Sequence, residues 1–145
     1  APEKPCIILI GDISELEKFS INLSEKQKDV IKKYWSFDSD QDFQLTPTSI
    51  VLECLDEKFV YLHRGTNTLA FRLPASVDLQ NLLKKTGPLI APSANTEALP
   101  PSQNITDAQK YFGNLVDLYV DGEEIKGKAS KIIELRKDGS VKVLR

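Results

Sequence analysis

The sequence has few of the residues that build disulfide frameworks, metal centres and membrane spans. It contains two cysteines, one histidine and no methionine. Cys6 and Cys54 stand far apart inside apolar runs, and with His63 they give too few ligands for a zinc site. We therefore expect both cysteines to be reduced core residues. Because no apolar stretch is long enough to cross a membrane and no signal-peptide pattern is present, the sequence favours a cytoplasmic protein.

A strong excess of either charge is also missing. The chain has 21 acidic and 19 basic residues, for a formal net charge of -2. This balance argues against a protein that coats nucleic acid through bulk positive charge, although it leaves a local basic pocket open. The length and the 41% hydrophobic content fit one domain over residues 1–145. Because an apolar run follows so soon after Ala1, we expect a piece of a longer protein.

The two commonest nucleotide-binding signatures do not occur. There is no G-x-x-x-x-G-K-[ST] phosphate loop, and no G-x-G-x-x-G follows an apolar run. A nucleotide site in this chain would need to be built from other groups.

Two segments have the spacing of helix capping boxes. Ser14 precedes Glu17 by three residues, and Ser24 precedes Gln27 in the same way. The second pair opens an apolar stripe that predicts a helix ending near Trp35.

Short apolar runs predict strands that alternate with a few helices. We expect strands at residues 6–10, 50–54, 59–63, 68–73, 88–91, 116–120, 131–135 and 140–144, and further helices at 77–85 and 106–112. The strands at 50–54 and 59–63 are typical of a hairpin, and Asp138 with Gly139 predicts a tight turn between the last two strands. The fold class is therefore α/β or α+β, with a twisted sheet of mixed parallel and antiparallel strands and flanking helices.

The most informative segment is residues 87–95, which read G-P-L-I-A-P-S-A-N. We expect a buried strand followed by a loop that carries Ser93 and Asn95 beyond its carboxyl end, where ligands of α/β sheets settle. Hydroxyl and amide groups in that position could hold a phosphate, a carboxylate or a ribose. The other interpretation is that these residues only shape a turn, and composition alone favours it.

Three more polar groups are candidates. Arg72 stands in a predicted strand on the same face as Ala70, where an arginine either faces solvent or meets an anion. Gly127 opens a turn that brings the Ser130 hydroxyl to the start of a strand. Arg145 ends the last strand. Each of these signals is weak when taken alone.

In their order along the chain, these segments resemble the YrdC-like family. That family typically shows a tryptophan followed by P-G-P-L-T, then T-v-A-v-R-v-P, G-P-l-v-A-P-S-A-N, V-D-l-v-l-D-G, G-x-x-S-T-i-v-D and a closing v-L-R. Residues 68–74, 87–95, 116–122, 127–134 and 143–145 match the last five elements. Ser49 belongs to P-T-S, the nearest equivalent of P-L-T, which follows Trp35 after an acidic insertion. Lys4 and Pro5 look like the family's K-P-l segment.

The resemblance implies a threonylcarbamoyl-AMP synthase, also called L-threonylcarbamoyladenylate synthase. This nucleotidyltransferase converts threonine, bicarbonate and ATP to threonylcarbamoyl-AMP and pyrophosphate for tRNA modification. ATP is then a substrate, accompanied by magnesium, and no tightly bound cofactor is expected. Catalysis would depend on positioning and on neutralising phosphate charge, with no protein nucleophile.

The resemblance also implies roles for individual residues. Ser93 and Asn95 would line the pocket for threonine and the nucleotide. Ser130 and Arg145 would contact the ATP phosphates or the nucleoside, and Arg72 would support the same cleft. The implied substrate- and nucleotide-binding residues are therefore Ser49, Arg72, Ser93, Asn95, Ser130 and Arg145. Implied macromolecular partners are tRNA or double-stranded RNA and the other proteins of the threonylcarbamoylation pathway.

The chain departs from the family pattern in ways that leave alternatives open. The family's K-x-R cations and its Y-P-T-x-T strand would lie upstream of Ala1, so we expect a single YrdC-like domain without them. Residues 96–98 replace the usual S-G, and Lys131 replaces the threonine of S-T. One alternative is a non-catalytic module of the same fold that binds double-stranded RNA or a nucleotide. Another is a carbamoyl-transferring relative that acts in metallocentre maturation.

Overall fold

The computed structural model describes residues 6–36, 47–124 and 129–145. The chain divides into two compact units. The first is formed by Ala1–Ala91 with Ala129–Arg145, and the second by Pro92–Lys128. The first unit holds the sheet, and the described part of the second holds the α-helix Ile105–Phe112 and the 3-10 helix Gly113–Leu115.

The first unit is built on a six-stranded sheet. Its strands are β1 (Ile7–Leu9), β2 (Thr48–Glu53), β3 (Thr68–Arg72), β4 (Leu89–Ala91), β5 (Lys131–Leu135) and β6 (Val141–Val143). The order across the sheet is β4-β1-β3-β2-β5-β6. The pairs β1–β3 and β2–β5 are parallel, and the other three pairs are antiparallel. The predicted mixed sheet with flanking helices is confirmed.

Four α-helices and three 3-10 helices accompany the sheet in the described residues. The α-helices are α1 (Glu25–Tyr34), α2 (Val60–His63), α3 (Val77–Thr86) and α4 (Ile105–Phe112), and the 3-10 helices are Ile13–Phe19, Glu57–Phe59 and Gly113–Leu115. In the described parts of the chain, no helix is both long and apolar enough to cross a bilayer.

One of the two predicted capping boxes is confirmed. The Ser24 hydroxyl accepts a hydrogen bond from Gln27 N–H at 3.1 Å, and the Gln27 side chain accepts one from Ser24 N–H at 3.0 Å. The prediction at Ser14 was wrong. Asp12 is the N-cap there, and its carboxylate accepts from the Ser14 N–H at 2.8 Å. The Asp12 side chain accepts the hydrogen bond from the Ser14 N–H, whereas a capping box at Ser14 needs that N–H to donate to the Glu17 side chain.

Three strand predictions also needed correction. Residues 59–63 are helical, because the Asp56 carboxylate caps a 3-10 turn there. The expected hairpin between 50–54 and 59–63 is therefore absent, and β2 pairs with β3. Residues 116–120 are not part of a sheet within the described residues, and the backbone bends at 116 and 117. β4 was expected to be buried, yet Ile90 is 52% exposed because β4 is an edge strand with β1 as its one neighbour.

The core lies on one face of the sheet, beneath the helices. Phe71 of β3 is fully buried and meets the ring of Phe19 at 5.1 Å between centroids. Trp35, just after α1, is buried as well, and its indole N–H donates to the Thr48 carbonyl at 3.0 Å. The indole thereby fixes the position at which β2 begins. The members of the core cluster that lie in strands or directly after β1 are Ile8, Ile10, Ile50, Leu52, Leu69, Phe71, Ile133 and Leu135.

The turn between β5 and β6 is tied to the start of α1. The Ser24 hydroxyl donates to the Lys137 carbonyl at 2.7 Å, and the Lys137 ammonium donates to the Asn22 carbonyl at 2.6 Å. The buried Gln27 amide donates to the Leu135 carbonyl at 3.3 Å. The predicted turn is present, with Gly139 at φ +84. These bonds join the hairpin to the helix through contacts outside the sheet.

Candidate functional site

Four of the six predicted site residues lie at one end of the sheet. Ile50 of β2 pairs with Phe71 of β3 in antiparallel register. Ser49, which precedes Ile50, and Arg72, which follows Phe71, therefore stand at the same end of the two strands. Ser130 immediately precedes β5, the parallel neighbour of β2. Arg145 follows β6, and its carbonyl accepts from the Ile132 N–H at 3.0 Å. We call the end that carries Ser49, Arg72, Ser130 and Arg145 the basic end of the sheet.

A buried pair of hydroxyls forms the centre of the basic end. Ser49 Oγ and Ser130 Oγ lie 3.1 Å apart, and the two residues are 0% and 6% exposed. In such a pair one hydroxyl donates to the other, so one O–H hydrogen remains to be donated. It has no acceptor among the described residues. A buried donor without an acceptor costs stability, and a bound anion would supply the acceptor.

Arg145 adds positive charge beside this pair. Its guanidinium donates to the Ser130 carbonyl from Nη2 at 3.0 Å and from Nε at 3.3 Å. A carbonyl is neutral, so the contact orients the side chain without cancelling its charge. The guanidinium keeps further N–H donors for a phosphate or a carboxylate.

Arg72 is the second cation of the basic end. Its side chain is partly buried, and this burial lowers the pKa of the guanidinium below its usual value. Within residues 6–36, 47–124 and 129–145, no acceptor lies within hydrogen-bonding distance of that side chain. A desolvated cation without a counterion is costly, and an anion in the cleft would offset the cost. Arg72 and Arg145 stand three strand spacings apart, or about 14 Å between backbones.

Ser93 and Asn95 belong to the second unit, where they differ from each other. Asn95 binds its own loop, since its side-chain amide donates to the Leu99 carbonyl at 2.8 Å and to the Thr96 carbonyl at 3.1 Å. Its Oδ1 is buried and has no partner among the described residues. Ser93 is exposed, and its hydroxyl makes no hydrogen bond there. That these two residues meet Ser130 in one pocket stays a prediction.

Several predicted features fall outside the described residues or outside the site. Gly127 and Lys4 are not among the described residues. His63 is buried, and its Nδ1 accepts from the Gly65 N–H at 3.1 Å. Sequence reasoning missed the bond from Trp35 to Thr48, which positions Ser49. The sequence feature that could have indicated this bond is the lone tryptophan upstream of P-T-S.

Comparison with known proteins connects this geometry to one family. The family model that matches residues 1–145 covers Sua5, YciO and YrdC proteins and carries the description "Telomere recombination". The threonylcarbamoyl-AMP synthase of Bacillus subtilis (strain 168) is 27% identical over 139 residues, which make up 94% of this chain and 38% of that protein.

Solved structures give the same result. A variant of P. abyssi Sua5 matches 99% of this chain and 39% of its own, with a TM-score of 0.80 and 25% identity. P. abyssi Sua5 complexed with L-threonine matches 100% of this chain and 40% of its own, with a TM-score of 0.78 and 25% identity. The chain therefore spans about two fifths of the length of these relatives.

Proposed function

The chain belongs to the family of Sua5, YciO and YrdC proteins, and from that premise we propose that it forms part of a threonylcarbamoyl-AMP synthase. The observation that carries the proposal is the basic end of the sheet. There, a buried hydroxyl pair with an unused hydrogen lies beside Arg145, and Arg72 stands at the same end without a counterion in the described parts of the chain. These groups suit the polyphosphate of ATP.

Substrate binding at this end needs no ionised nucleophile from the protein. Threonine's amine attacks the carbon of bicarbonate, and loss of water gives a carbamate. A carbamate oxygen then attacks the α-phosphorus of ATP, and pyrophosphate leaves. Negative charge develops on the phosphate oxygens in the second step. Arginine side chains and fixed hydroxyl donors stabilise that charge when they are in place before reaction. Arg145, Arg72 and Ser130 are the described residues that we assign to this task.

Magnesium would enter the site already bound to the ATP phosphates. Among the described residues, no three His, Cys, Asp or Glu side chains come together to hold a metal ion. For threonine, the family resemblance points to Ser93 and Asn95. The buried Asn95 Oδ1 has no partner among the described residues and is an acceptor that an ammonium group could use. Support for threonine as the amino acid comes from the relative that was solved in complex with it.

Ligand-dependent thermal stability tests the binding part of this proposal. We expect ATP with threonine to raise the melting temperature of the protein, and Arg145→Gln to weaken ATP binding by about tenfold to a hundredfold, the range of one or two charge-assisted hydrogen bonds. Arg136→Gln is the matched control, because that exposed arginine pairs with Glu134 away from the basic end. Indifference of the protein to both ligands would contradict the proposal.

Turnover is a separate measurement. Pyrophosphate release should require threonine, bicarbonate and ATP together. A protein that ignores ATP but binds duplex RNA, with an affinity that falls steeply as salt rises, would be the non-catalytic RNA-binding module instead.

A further inference from the structure

The outer strand β6 is left uncovered on the helix side of the sheet. Ile133 and Leu135 of β5 belong to the core. Their cross-strand partners in β6 are Val143 and Val141. Paired residues of an antiparallel sheet share a face, so both valines point to the face that carries α1. Val143 is nevertheless 57% exposed and Val141 is 38% exposed. The helix therefore covers β5 more fully than it covers β6.

α1 lies along β5. Near the start of the helix, the Gln27 amide donates to the Leu135 carbonyl at the end of β5. Near the end of the helix, the centroid of the Tyr34 ring lies 5.7 Å from the ammonium of Lys131, the first residue of β5. The helix and the strand therefore run side by side in opposite directions, and one flank of the helix faces β6.

The flank of α1 that faces β6 carries two exposed lysines. Lys26 lies beside the β5–β6 turn, where a Cβ added to Gly139 would stand 2.9 Å from the Lys26 Cβ. Lys33 is seven residues further on, which is almost two helical turns, so it lies on the same flank. The opposite flank carries Lys28 and Lys32, which line a cavity beside the first 3-10 helix. The two flanks thus have the same charge but different surroundings.

The edge of β6 also has unused backbone groups. Ser140 and Leu144 each direct a backbone group to β5 through a hydrogen bond. Alternate residues of an antiparallel strand direct their backbone groups to opposite sides, so those of Val141 and Val143 point away from β5. Because β6 is the last strand in the order, they meet no further strand among the described residues. An edge of this kind can accept another strand.

The exposed surface between this flank of α1 and β6 is called the edge groove, and it is formed by Lys26, Lys33, Val141 and Val143. Lys142 lies between the two valines on the other face of the sheet. In the described parts of the chain, none of these three lysines makes an ion pair. Even when Asp29 and Asp138 are counted, the three lysines leave an excess of positive charge, which favours an acidic occupant.

We infer that the edge groove binds an extended acidic segment of a partner protein, which adds to β6 as a further strand. The backbone of that segment bonds the unused N–H and C=O groups of Val141 and Val143, and its apolar side chains cover both valines. Its acidic side chains meet Lys142 and the two lysines of α1. A second copy of this chain is a poorer occupant, because pairing valines with valines would place Lys142 against its own copy.

The length of the segment follows from the helix. Lys26 and Lys33 are about 10 Å apart along the helix axis, at about 1.5 Å per residue. A strand of five residues spans about 14 Å, so it reaches both lysines. None of these groups is assigned to ATP or threonine, so this inference and the proposed function can fail separately.

Fluorescence anisotropy of a labelled peptide titrated with the full chain tests this inference. The probe is the five-residue peptide D-V-E-V-D with blocked ends, and we expect saturable binding at about 0.1 M salt. Lys26→Glu with Lys33→Glu should raise the Kd by at least about tenfold. Lys28→Glu with Lys32→Glu is the matched control, because it makes the same charge change on the opposite flank. Its Kd should rise by less than about threefold, since salt screens charges beyond about 10 Å.

Hydrogen exchange shows whether the peptide adds as a strand. The amides of Val141 and Val143 should become protected when the peptide is bound, whereas the Leu144 amide already donates within the protein and should change little. Binding without this protection, or equal losses in the two double variants, would overturn the inference. Absence of saturable binding would do the same, as would self-association through β6 or binding of duplex RNA in place of the peptide. Circular dichroism checks that the variants are folded, and all four substituted lysines are exposed.

Discussion

The two ends of the sheet use their arginines differently. At the far end from the basic end, Arg136 lies 3.2 Å from the carboxylate of Glu134, and both side chains are satisfied within the protein. At the basic end, Arg145 contacts a neutral carbonyl and Arg72 contacts no acceptor among the described residues. One end completes its own charge pairs, while the other leaves positive charge and a buried hydroxyl hydrogen unmatched. Unmatched groups of this kind are expected where a ligand completes them.

The largest effect should come from removing the anchor of the basic end. Trp35→Ala deletes a buried side chain and its bond to the Thr48 carbonyl, so we expect the free energy of unfolding to fall by about 3–5 kcal/mol. Urea denaturation measures it. Tyr61→Ala removes an exposed aromatic residue and should change the same quantity by less than about 0.5 kcal/mol. Equal losses in both variants would mean that Trp35 does not anchor β2.

A smaller effect is expected for the hydroxyl pair. Ser49→Ala leaves the Ser130 hydroxyl buried without its partner, so unfolding should become easier by about 1–2 kcal/mol. The double variant Ser49→Ala with Ser130→Ala should cost less than the sum of the two single variants, because the second substitution removes the stranded group. Additive losses in urea denaturation would show that the two hydroxyls do not interact.

Replacing the partly buried arginine should separate stability from ligand binding. Arg72→Met removes a desolvated charge, so we expect the ligand-free protein to be as stable as before or more stable by up to about 1 kcal/mol. Tripolyphosphate, used as a probe for the triphosphate of ATP, should raise the melting temperature of the unmodified protein but not that of Arg72→Met. Arg136→Met at the far end should keep that stabilisation and change stability by less than about 0.5 kcal/mol. A large destabilisation by Arg72→Met would mean that its charge is already compensated.

The smallest effect is expected from the titration of Asp138, which lies in the turn between β5 and β6. Hydrogen bonds from the Ser140 hydroxyl and N–H hold the pKa of Asp138 below its ordinary value. A carboxyl with a lowered folded-state pKa stabilises the protein above its unfolded value, and this contribution is lost as pH falls through the folded value. Melting temperature should therefore fall slightly less between pH 5 and pH 3 in Asp138→Asn, at about the values where carboxyls titrate. Asp29→Asn is the matched control, because that exposed carboxylate makes no hydrogen bond to another described residue.

The sheet was largely predictable because its strands carry local patterns. The apolar runs gave all six of its described strands close to their observed positions, and the Ser24 cap predicted the start of α1. The error at residues 59–63 arose because V-Y-L-H fits either a strand or a short helix. The deciding groups are the Asp56 cap and Arg64 in the left-handed region, and both act through backbone geometry. At residues 116–120 the apolar pattern predicted a strand, but these residues form no strand and pair with no other strand among the described residues.

The candidate site was less accessible to sequence reasoning because it depends on non-local pairing. Nothing local to Ser49 indicates that its hydroxyl meets Ser130, since the parallel pairing of β2 with β5 sets that distance. The sequence left Arg72 either exposed or facing an anion. Its partial burial without an acceptor among the described residues favours the anion. For Asn95, residue type could not show that the side chain holds its own loop. These points rest on register and loop conformation, which emerge with the tertiary fold.

The attachment of the β5–β6 turn to α1 has a consequence for the opposite end of that hairpin. A strand that slips by one residue turns every side chain to the other face. Here Ser24, Lys137 and Gln27 act as a latch that prevents such slippage from outside the sheet. By preventing slippage, these three bonds keep Arg145 beside the Ser130 carbonyl. The start of α1 thus fixes the pairing at the other end of the hairpin, about 15 Å away at about 3.4 Å per strand residue.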